Sequence, residues 1–119
     1  MTRAKNAVGA YGERVALRYL TGQGMVVLDR NWRCPAGELD AVLRDGDVLV
    51  VAEVKTRRSN RFGTPAEALT PAKVARLRRL AALWLAQSRV RPREVRFDVV
   101  SVLPRAAGPA EVEHLRGAF

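Results

Sequence analysis

Two helices are predicted from apolar residues that recur at three- and four-residue steps. The first helix spans about Asn6 to Thr21, and its apolar positions are Val8, Tyr11, Val15, Tyr19 and Leu20. The second begins near Thr70 and Pro71, because threonine is a favourable N-cap and proline is tolerated at the first helical position. It ends before Pro92, and its predicted buried stripe consists of Val74, Leu77, Ala81, Trp84 and Leu85.

Shorter apolar runs predict β-strands. The first strand covers Met25 to Arg30 and is followed by a loop from Asn31 to Gly37. Two further strands, Glu38 to Arg44 and Val48 to Thr56, flank an Asp-Gly-Asp segment and form a predicted hairpin. The second hairpin strand is apolar on both faces at its start, which predicts a central and buried position. A last strand covers Arg96 to Leu103.

The order helix, three strands, helix, strand is that of an α/β or α+β protein. A chain of 119 residues can bury one core, and we predict a single domain over residues 1–103. Residues 104–119 have a weak pattern and are predicted to form a C-terminal tail. No stretch approaches the roughly 20 apolar residues of a membrane helix, and no secretory signal opens the chain. We therefore expect a cytoplasmic protein without a membrane partner.

The chain is strongly basic, which favours a polyanionic partner. It has 21 Lys and Arg against 12 Asp and Glu, a formal net charge of +9, and 18 of the 21 basic residues are arginine. A surface of this kind suits nucleic acid. The alternative is that the charge serves solubility alone, with arginine favoured by genome composition.

Cysteine and histidine occur once each, and this excludes several kinds of site. Cys34 has no partner for an intrachain disulfide, which agrees with a reducing compartment. Zinc sites built from several cysteines are excluded, as is chemistry that needs two histidines in one chain. We predict that neither Cys34 nor His114 takes part in the chemistry.

Charged residues gather at one end of the predicted hairpin. Side chains two apart in a strand share a face, so Glu38 is grouped with Asp40, and Glu53 with Lys55. If the register brings these faces together, two or three carboxylates and one ammonium meet at one end of the sheet. Buried charge is costly unless it is paired or binds a metal, so the alternatives are a catalytic site and a plain Glu53–Lys55 salt bridge. Asp40 makes the catalytic interpretation the more specific one.

These residue types suit the hydrolysis of a phosphodiester bond. Two carboxylates can hold Mg²⁺, which lowers the pKa of a bound water and offsets charge on the scissile phosphate. Lysine adds a compact positive charge with three donors. It either orients the attacking water or stabilises the pentavalent phosphorus, and the sequence leaves both roles open.

Asp40 and the segment Glu53-Val54-Lys55 resemble the Asp…Glu-x-Lys motif of the PD-(D/E)XK nuclease superfamily. More narrowly, the chain resembles the YraN-like family of uncharacterised bacterial proteins, which are regarded as candidate endonucleases and are similar to archaeal Holliday-junction resolvases. The resemblance covers about Gly9 to Leu103, although Leu39 replaces the proline that usually precedes the aspartate. The matching stretches are Gly12-Glu13, Arg30-Asn31, Gly37-Glu38-Leu39-Asp40, Glu53-Val54-Lys55, Arg57, Phe62-Gly63, Lys73 and Arg96-Phe97-Asp98.

This resemblance implies a restriction-endonuclease-like core, in which a mixed β-sheet is flanked by helices. It implies that Asp40 and Glu53 bind Mg²⁺ or Mn²⁺, with the carbonyl of Val54 as a further ligand and Lys55 as the catalytic lysine. Glu13 would match the helix-one glutamate that completes such sites in resolvase-like members. Without the resemblance, Glu13 could equally be a solvated helix residue.

Other polar residues are candidates for the metal or for nucleic acid. Glu38 either binds the metal or only shapes the entry into its strand. Three arginines follow the catalytic strand and are predicted to hold a nucleic-acid backbone, unless they belong to a solvated loop: Arg57, Arg58 and Arg61. Lys73 lies in the first turn of the second helix, where it is either a phosphate contact or an exposed lysine.

Four residues are assigned structural roles. Asp98 is predicted to pair with an arginine rather than to act in catalysis. Trp32 could stack on a base, but the prediction is that it packs on the core. Arg76 and Arg79 lie off the buried stripe of the second helix and are predicted to face solvent.

We therefore expect a Mg²⁺- or Mn²⁺-dependent endonuclease, with structured or branched DNA preferred on the resemblance alone. Two alternatives remain open: an inactive nucleic-acid-binding module of the same fold, and an assembly protein whose basic face binds an acidic partner. A resolvase-like role would imply a two-fold homodimer, but the sequence identifies no dimer surface.

Overall fold

Two helices and five strands make up the part of the chain that the computed structural model describes, residues 7–57 and 69–119. In chain order they are α1 (Ala7–Gly22), β1 (Val26–Cys34), β2 (Gly37–Asp45), β3 (Val48–Thr56), α2 (Pro71–Gln87), β4 (Glu94–Leu103) and β5 (Glu111–Leu115). The predicted α/β class and the predicted order of the first six elements are confirmed, and β5 is an addition. Neither of the described helices is long and apolar enough to cross a membrane.

The strands form one mixed sheet in the order β1-β2-β3-β4-β5. The first three pair antiparallel, β3 and β4 pair parallel, and β5 returns antiparallel on β4. Parallel neighbours need a crossover connection, and α2 lies in it. Residues Val48 to Ala52 of the central strand β3 are all buried, as its apolar run predicts.

A two-residue turn sets the register of β2 against β3. Asp45 pairs with Val48, which leaves Gly46 and Asp47 as the turn. Gly46 has a φ of 61°, a conformation that glycine adopts without strain and that tight hairpin turns require at this position. The turn therefore fixes which residues of β2 face the end of β3.

One helix covers each face of the sheet. Below α1 lies a cluster that includes Ala16, Leu20, Val50 and Val100. Below α2 lies a second cluster that includes Leu49, Val51, Leu80 and Trp84. Because side chains alternate along a strand, Glu53 and Lys55 continue the row of Leu49 and Val51 on the α2 face.

The helix α1 approaches the end of β3 closely at Gly12. A Cβ at this position would overlap the hydroxyl of Thr56 and lie 2.8 Å from the Thr56 Cβ. The next residue, Glu13, is only 8% exposed, so it is not a solvated helix residue. The buried stripe of α1 differs from the predicted one, because Val8 is exposed and the buried residues are Gly12, Glu13, Ala16 and Leu20.

Two predictions are wrong at the edges of the sheet. Much of the predicted loop after Arg30 belongs to β1, which pairs with β2 as far as Cys34 and Gly37. The predicted tail contains β5, which pairs with β4 from Leu103 and Glu111 to Val99 and Leu115. Both segments carry several polar residues, and their pairing partners rather than their own apolar pattern make them strands.

The side chain of Asp98 connects β4 to β5 and to the residues that follow β5. Its carboxylate accepts hydrogen bonds from Arg96 Nε at 2.9 Å and from the Gly117 N–H at 3.1 Å, and it lies 2.8 Å from His114 Nε2. Burial alone would raise the pKa of Asp98, but the hydrogen bonds from Arg96, Gly117 and His114 outweigh it and lower that pKa. The predicted pairing of Asp98 with an arginine is confirmed, and His114 has a structural role.

Candidate active site

The strands β2 and β3 separate where the predicted catalytic residues begin. Their ladder ends at the pair Ala41 and Ala52, so Asp40 lies just beyond it. There the side chain of Asp40 bridges the two strands, because its Oδ2 accepts a 2.9 Å hydrogen bond from the backbone N–H of Val54. This bond holds the Asp40 carboxylate beside the segment Glu53-Val54-Lys55.

The side-chain alternation of β2 is interrupted at the same level. Leu39 packs in the cluster below α2, whereas Ala41 packs in the cluster below α1, although residues two apart normally share a face. The prediction that Glu38 and Asp40 share a face rests on regular alternation, which does not hold here. The strand therefore twists where it leaves β3.

Glu53 and Lys55 form an ion pair at the end of β3. Lys55 Nζ lies 3.2 Å from Glu53 Oε1, and the side chains of Lys55 and Glu53 are 32% and 19% exposed. Burial raises the pKa of Glu53 above its ordinary value, and the negative charge of Asp40 raises it further. The charges of Lys55 and Arg76 act in the opposite direction. The salt bridge that is the structural alternative thus exists, and it has a second carboxylate as its neighbour.

The oxygen atoms at this site fit a hard divalent cation. In an extended strand the N–H and C=O of one residue point to the same side, so the Val54 carbonyl faces the gap that Asp40 bridges. Two carboxylates and a carbonyl are ligands that Mg²⁺ prefers, with water in its remaining positions. A cation would also offset the repulsion between Asp40 and Glu53. Among residues 7–57 and 69–119, no group of three or more Asp, Glu, His or Cys side chains could hold a metal ion.

The two other predicted carboxylates lie on α1 and at the start of β2. Glu13 is buried on α1, next to Gly12, which packs against Thr56. It therefore lies near the same end of β3, on the side of the sheet that α1 covers. Glu38 is paired with Arg33 across β1 and β2, with 2.8 Å between Glu38 Oε2 and Arg33 Nε. The structure therefore brings together Asp40, Glu53, Val54 and Lys55, while Glu38 faces an arginine of β1.

The predicted nucleic-acid contacts are described in part. Arg58 and Arg61 lie outside the described residues. Arg57 is half-buried, and its backbone N–H donates to the Val102 carbonyl at 2.9 Å, which extends the pairing with β4 past the end of β3. Lys73 is half-buried in the first turn of α2, and its backbone N–H donates to the N-cap Thr70 Oγ1 at 3.2 Å. That turn contains no acidic residue.

Sequence analysis missed the proximity of Arg76 to the site. Arg76 belongs to α2, which covers the face of the sheet that carries the ion pair, and its positive charge acts to lower the pKa of Glu53. The exposure predicted for Arg76 is confirmed. Its position one helical turn after Lys73 was the available signal, because residues three apart on a helix are neighbours.

Asn31 was also missed as a residue near Asp40. Its neighbours Arg30 and Trp32 pair with Ala41 and Leu39, so its register position is opposite Asp40. Asn31 has a φ of 52°, and its buried side-chain oxygen has no hydrogen-bond partner among the described residues. Unsatisfied buried acceptors are rare in native folds, and unusual backbone conformations cluster at functional sites. The local signal was weak, because asparagine tolerates this conformation wherever it occurs.

Comparison with known proteins finds relatives along almost the whole chain. A family model described as uncharacterised protein family UPF0102 matches residues 12–102. A UPF0102 protein of Beutenbergia cavernae is 64% identical over 115 residues, which cover 97% of this chain and 98% of the relative. UPF0102 proteins of Kineococcus radiotolerans and a Nocardioides species are 63% and 60% identical, covering 97% and 95% of this chain and 95% and 91% of the relatives. The matched region includes Glu13, Asp40, Glu53 and Lys55.

Proposed function

The chain belongs to the uncharacterised protein family UPF0102, and we propose that it is a metal-dependent nuclease that hydrolyses phosphodiester bonds of nucleic acid. The observation that carries this proposal is the hydrogen bond from the Val54 N–H to Asp40, which holds a second carboxylate beside the Glu53–Lys55 pair. A structural salt bridge gains nothing from that neighbour, because the charge of Asp40 makes ionised Glu53 less stable. A cation-binding site needs both carboxylates.

A relationship to the PD-(D/E)XK superfamily is part of the proposal. A mixed sheet with one helix on each face, and a motif at the open end of an antiparallel hairpin, are consistent with a restriction-endonuclease-like core. The motif residues also lie on two neighbouring strands, Asp40 on β2 and Glu53 and Lys55 on β3.

Each residue of the site has a defined task in this reaction. Bound by Asp40, Glu53 and the Val54 carbonyl, Mg²⁺ or Mn²⁺ would supply a water of lowered pKa and positive charge near the phosphate. The Val54 N–H restrains the Asp40 carboxylate. Lys55 uses one donor on Glu53 and has further donors for the attacking water or a phosphate oxygen.

Basic residues around the site would bind the substrate backbone. Arg76 presents a planar guanidinium on the α2 side, a group whose geometry matches two phosphate oxygens. Lys73 lies in the first turn of α2, which contains no acidic residue and where the helix dipole favours an anion. The net charge of +9 supports the same partner, and we propose DNA as the preferred nucleic acid.

The test is cleavage of labelled linear, flap and four-way-junction DNA and of single-stranded RNA, each with Mg²⁺, Mn²⁺ or EDTA. Asp40→Asn keeps an oxygen that can accept the Val54 N–H bond but removes the charge, and Glu53→Gln and Lys55→Ala remove the other two charges. We expect each variant to lower the cleavage rate by about 100-fold or more, and EDTA to abolish cleavage. Glu94→Gln is the matched control, because Glu94 is an exposed carboxylate of β4 that pairs with Arg93.

The same experiment separates the alternatives. Cleavage that survives Asp40→Asn and Glu53→Gln would reject this site. If no substrate is cleaved but every variant retains salt-sensitive binding, the protein is a nucleic-acid-binding module without nuclease activity. Absence of both cleavage and binding would favour an acidic protein partner.

A further inference from the structure

A groove runs between α2 and the far end of the β1–β2 hairpin. It has a volume of about 820 Å³, which is within the range of ligand-binding clefts. Its walls include Arg76, Arg79 and Leu83 from α2 and Trp32, Cys34 and Pro35 from the hairpin. The groove therefore combines an aromatic ring and aliphatic surface with positive charge.

The charge in the groove is all of one sign. Within the described residues its lining contains arginines but no carboxylate. Arg79 makes no ion pair or side-chain hydrogen bond to any residue in the two described ranges, and Leu83, one turn further along α2, is 39% exposed. An anionic ligand with flat apolar parts fits such a surface better than a neutral or cationic one.

Arg76 connects the groove to the candidate active site. It lines the groove, and it belongs to α2, which covers the face of the sheet on which Glu53 and Lys55 continue the row of Leu49 and Val51. A chain of phosphates that reaches Glu53 can therefore continue past Arg76 towards Arg79. The spacing of these two arginines, three residues apart on a helix, places them on adjoining turns of the same face.

We propose that this groove binds an unpaired stretch of nucleic acid that leads into the active site, with a base against Trp32 and phosphates on Arg76 and Arg79. In a duplex the base faces are covered by their neighbours, whereas an unpaired base can stack on an aromatic side chain. Arginine contacts to phosphates add affinity without sequence choice. The link to cleavage rests on the proposed function, and it makes a substrate with a single-stranded segment, such as a flap, the preferred one.

Binding in EDTA tests the groove without any cleavage. The probes are single-stranded DNA and RNA of about 12 nucleotides, a length within common site sizes, and a blunt DNA duplex of the same sequence. Tryptophan fluorescence reports on the groove, because Trp32 lines it and Trp84 does not. Trp84 is 4% exposed, and its Nε1 donates to Asp29 Oδ2 at 3.0 Å, so it serves as an internal control. We expect single strands to quench Trp32 and the duplex to quench it much less.

Two variants and a matched control locate the binding surface. Trp32→Leu should remove the quenching and weaken single-strand binding by about tenfold. Arg79→Ala, a change at an exposed position that preserves the fold, should make the slope of log affinity against log salt shallower by about 0.7. Arg78→Ala removes the same charge from the same helix but lies outside the groove, with its guanidinium 5.8 Å from the centre of the Phe119 ring. It should bind close to wild type.

The outcomes distinguish this inference from the nuclease proposal. Equal losses in Arg78→Ala and Arg79→Ala, or equal affinity for duplex and single strand, would overturn the groove as a binding site. If single strands quench Trp32 selectively but the protein cleaves no substrate, the groove proposal is supported and only the nuclease proposal is rejected. Preference for the DNA or the RNA strand would identify the source of the unpaired segment.

Discussion

The contact between Gly12 and Thr56 predicts the effect of a single methyl group. In Gly12→Ala, the new Cβ would overlap the Thr56 hydroxyl and lie 2.8 Å from the Thr56 Cβ. Rotation of the Thr56 side chain relieves the first overlap but leaves the second. The strand carrying Thr56 is central in the sheet, so the helix must move instead. We expect the substitution to destabilise the protein and to displace the neighbouring Glu13.

Two opposing effects set the magnitude. Alanine is more favourable than glycine inside a helix by about 1 kcal/mol. Overpacking a close contact costs about 1–3 kcal/mol, and the upper part of that range applies because both partners belong to regular elements. Gly12→Ala should therefore lower the free energy of unfolding by about 1–2 kcal/mol. Thr56→Gly removes the obstructing side chain, so in that background the alanine should raise the free energy of unfolding by about 1 kcal/mol.

Urea denaturation of the four proteins in this cycle measures the difference. The predicted coupling energy is about 2–3 kcal/mol, within the range found for residues in contact. With a denaturant slope of about 1–3 kcal/mol per molar urea, the unfolding midpoints of the wild type and Gly12→Ala should differ by roughly 1 M urea, which circular dichroism resolves easily. A coupling energy near zero, with Gly12→Ala equally harmful in both backgrounds, would refute the contact as the reason for glycine.

Two further predictions concern the pH dependence and strength of charged groups. The pKa of Glu53 is raised above its ordinary 4.5, so the wild type should lose stability relative to Glu53→Gln as pH rises from 4.5 through the folded-state pKa in thermal unfolding scans. A pH-independent difference would contradict this. The pKa of Asp98 is lowered from 3.8, so its stabilisation is present above that value and is lost as pH falls through the folded-state pKa. Asp98→Ala removes the acceptor that Arg96 and His114 share, while Arg96 keeps its 3.2 Å bond to Asp45. The substitution should therefore cost about 3 kcal/mol, the low end for a broken buried pair, by urea denaturation at neutral pH; a cost near zero would exclude that role.

The hairpin that carries the candidate site was predictable because its signals are local. The range predicted for β3, Val48 to Thr56, is the observed one, and Gly46 and Asp47 of the predicted Asp-Gly-Asp segment form the turn. The start of α2 at Pro71 behind the N-cap Thr70 also follows from neighbouring residues. Once this turn is predicted, pairing of β2 with β3 is enough to place Asp40 near Glu53.

Other parts of the site depend on how the strands and helices pack, and the sequence alone did not indicate them. The bond from the Val54 N–H to Asp40 exists because β2 pairs with β3 only from Ala41 onwards, and no residue pattern in the sequence predicts that separation. Glu13 is buried because α1 packs closely against β3 at Gly12. A helical pattern alone allowed a solvated Glu13.

The strand β5 was missed for a related reason. It is only five residues long, with exposed Glu111, Glu113 and Leu115 alternating with half-buried residues. Its place in the sheet depends on pairing with β4 and on the contact between His114 and Asp98. These are long-range interactions that a weak local pattern does not encode.

Among the described strands β1 lies at one edge of the sheet, and this edge is poorly suited to recruit a strand from another molecule. Edges with regular, unpaired backbone groups promote aggregation, and proteins protect them with bulges, kinks and charge. In β1 the register shifts between Val27 and Asp29, and Asn31 has a left-handed backbone conformation between Arg30 and Trp32. The backbone distortion of β1 at Asn31, opposite Asp40, therefore also disfavours the pairing of β1 with a strand of another molecule, as occurs in fibrils. A homodimer of this protein should accordingly bury some surface other than the edge of β1.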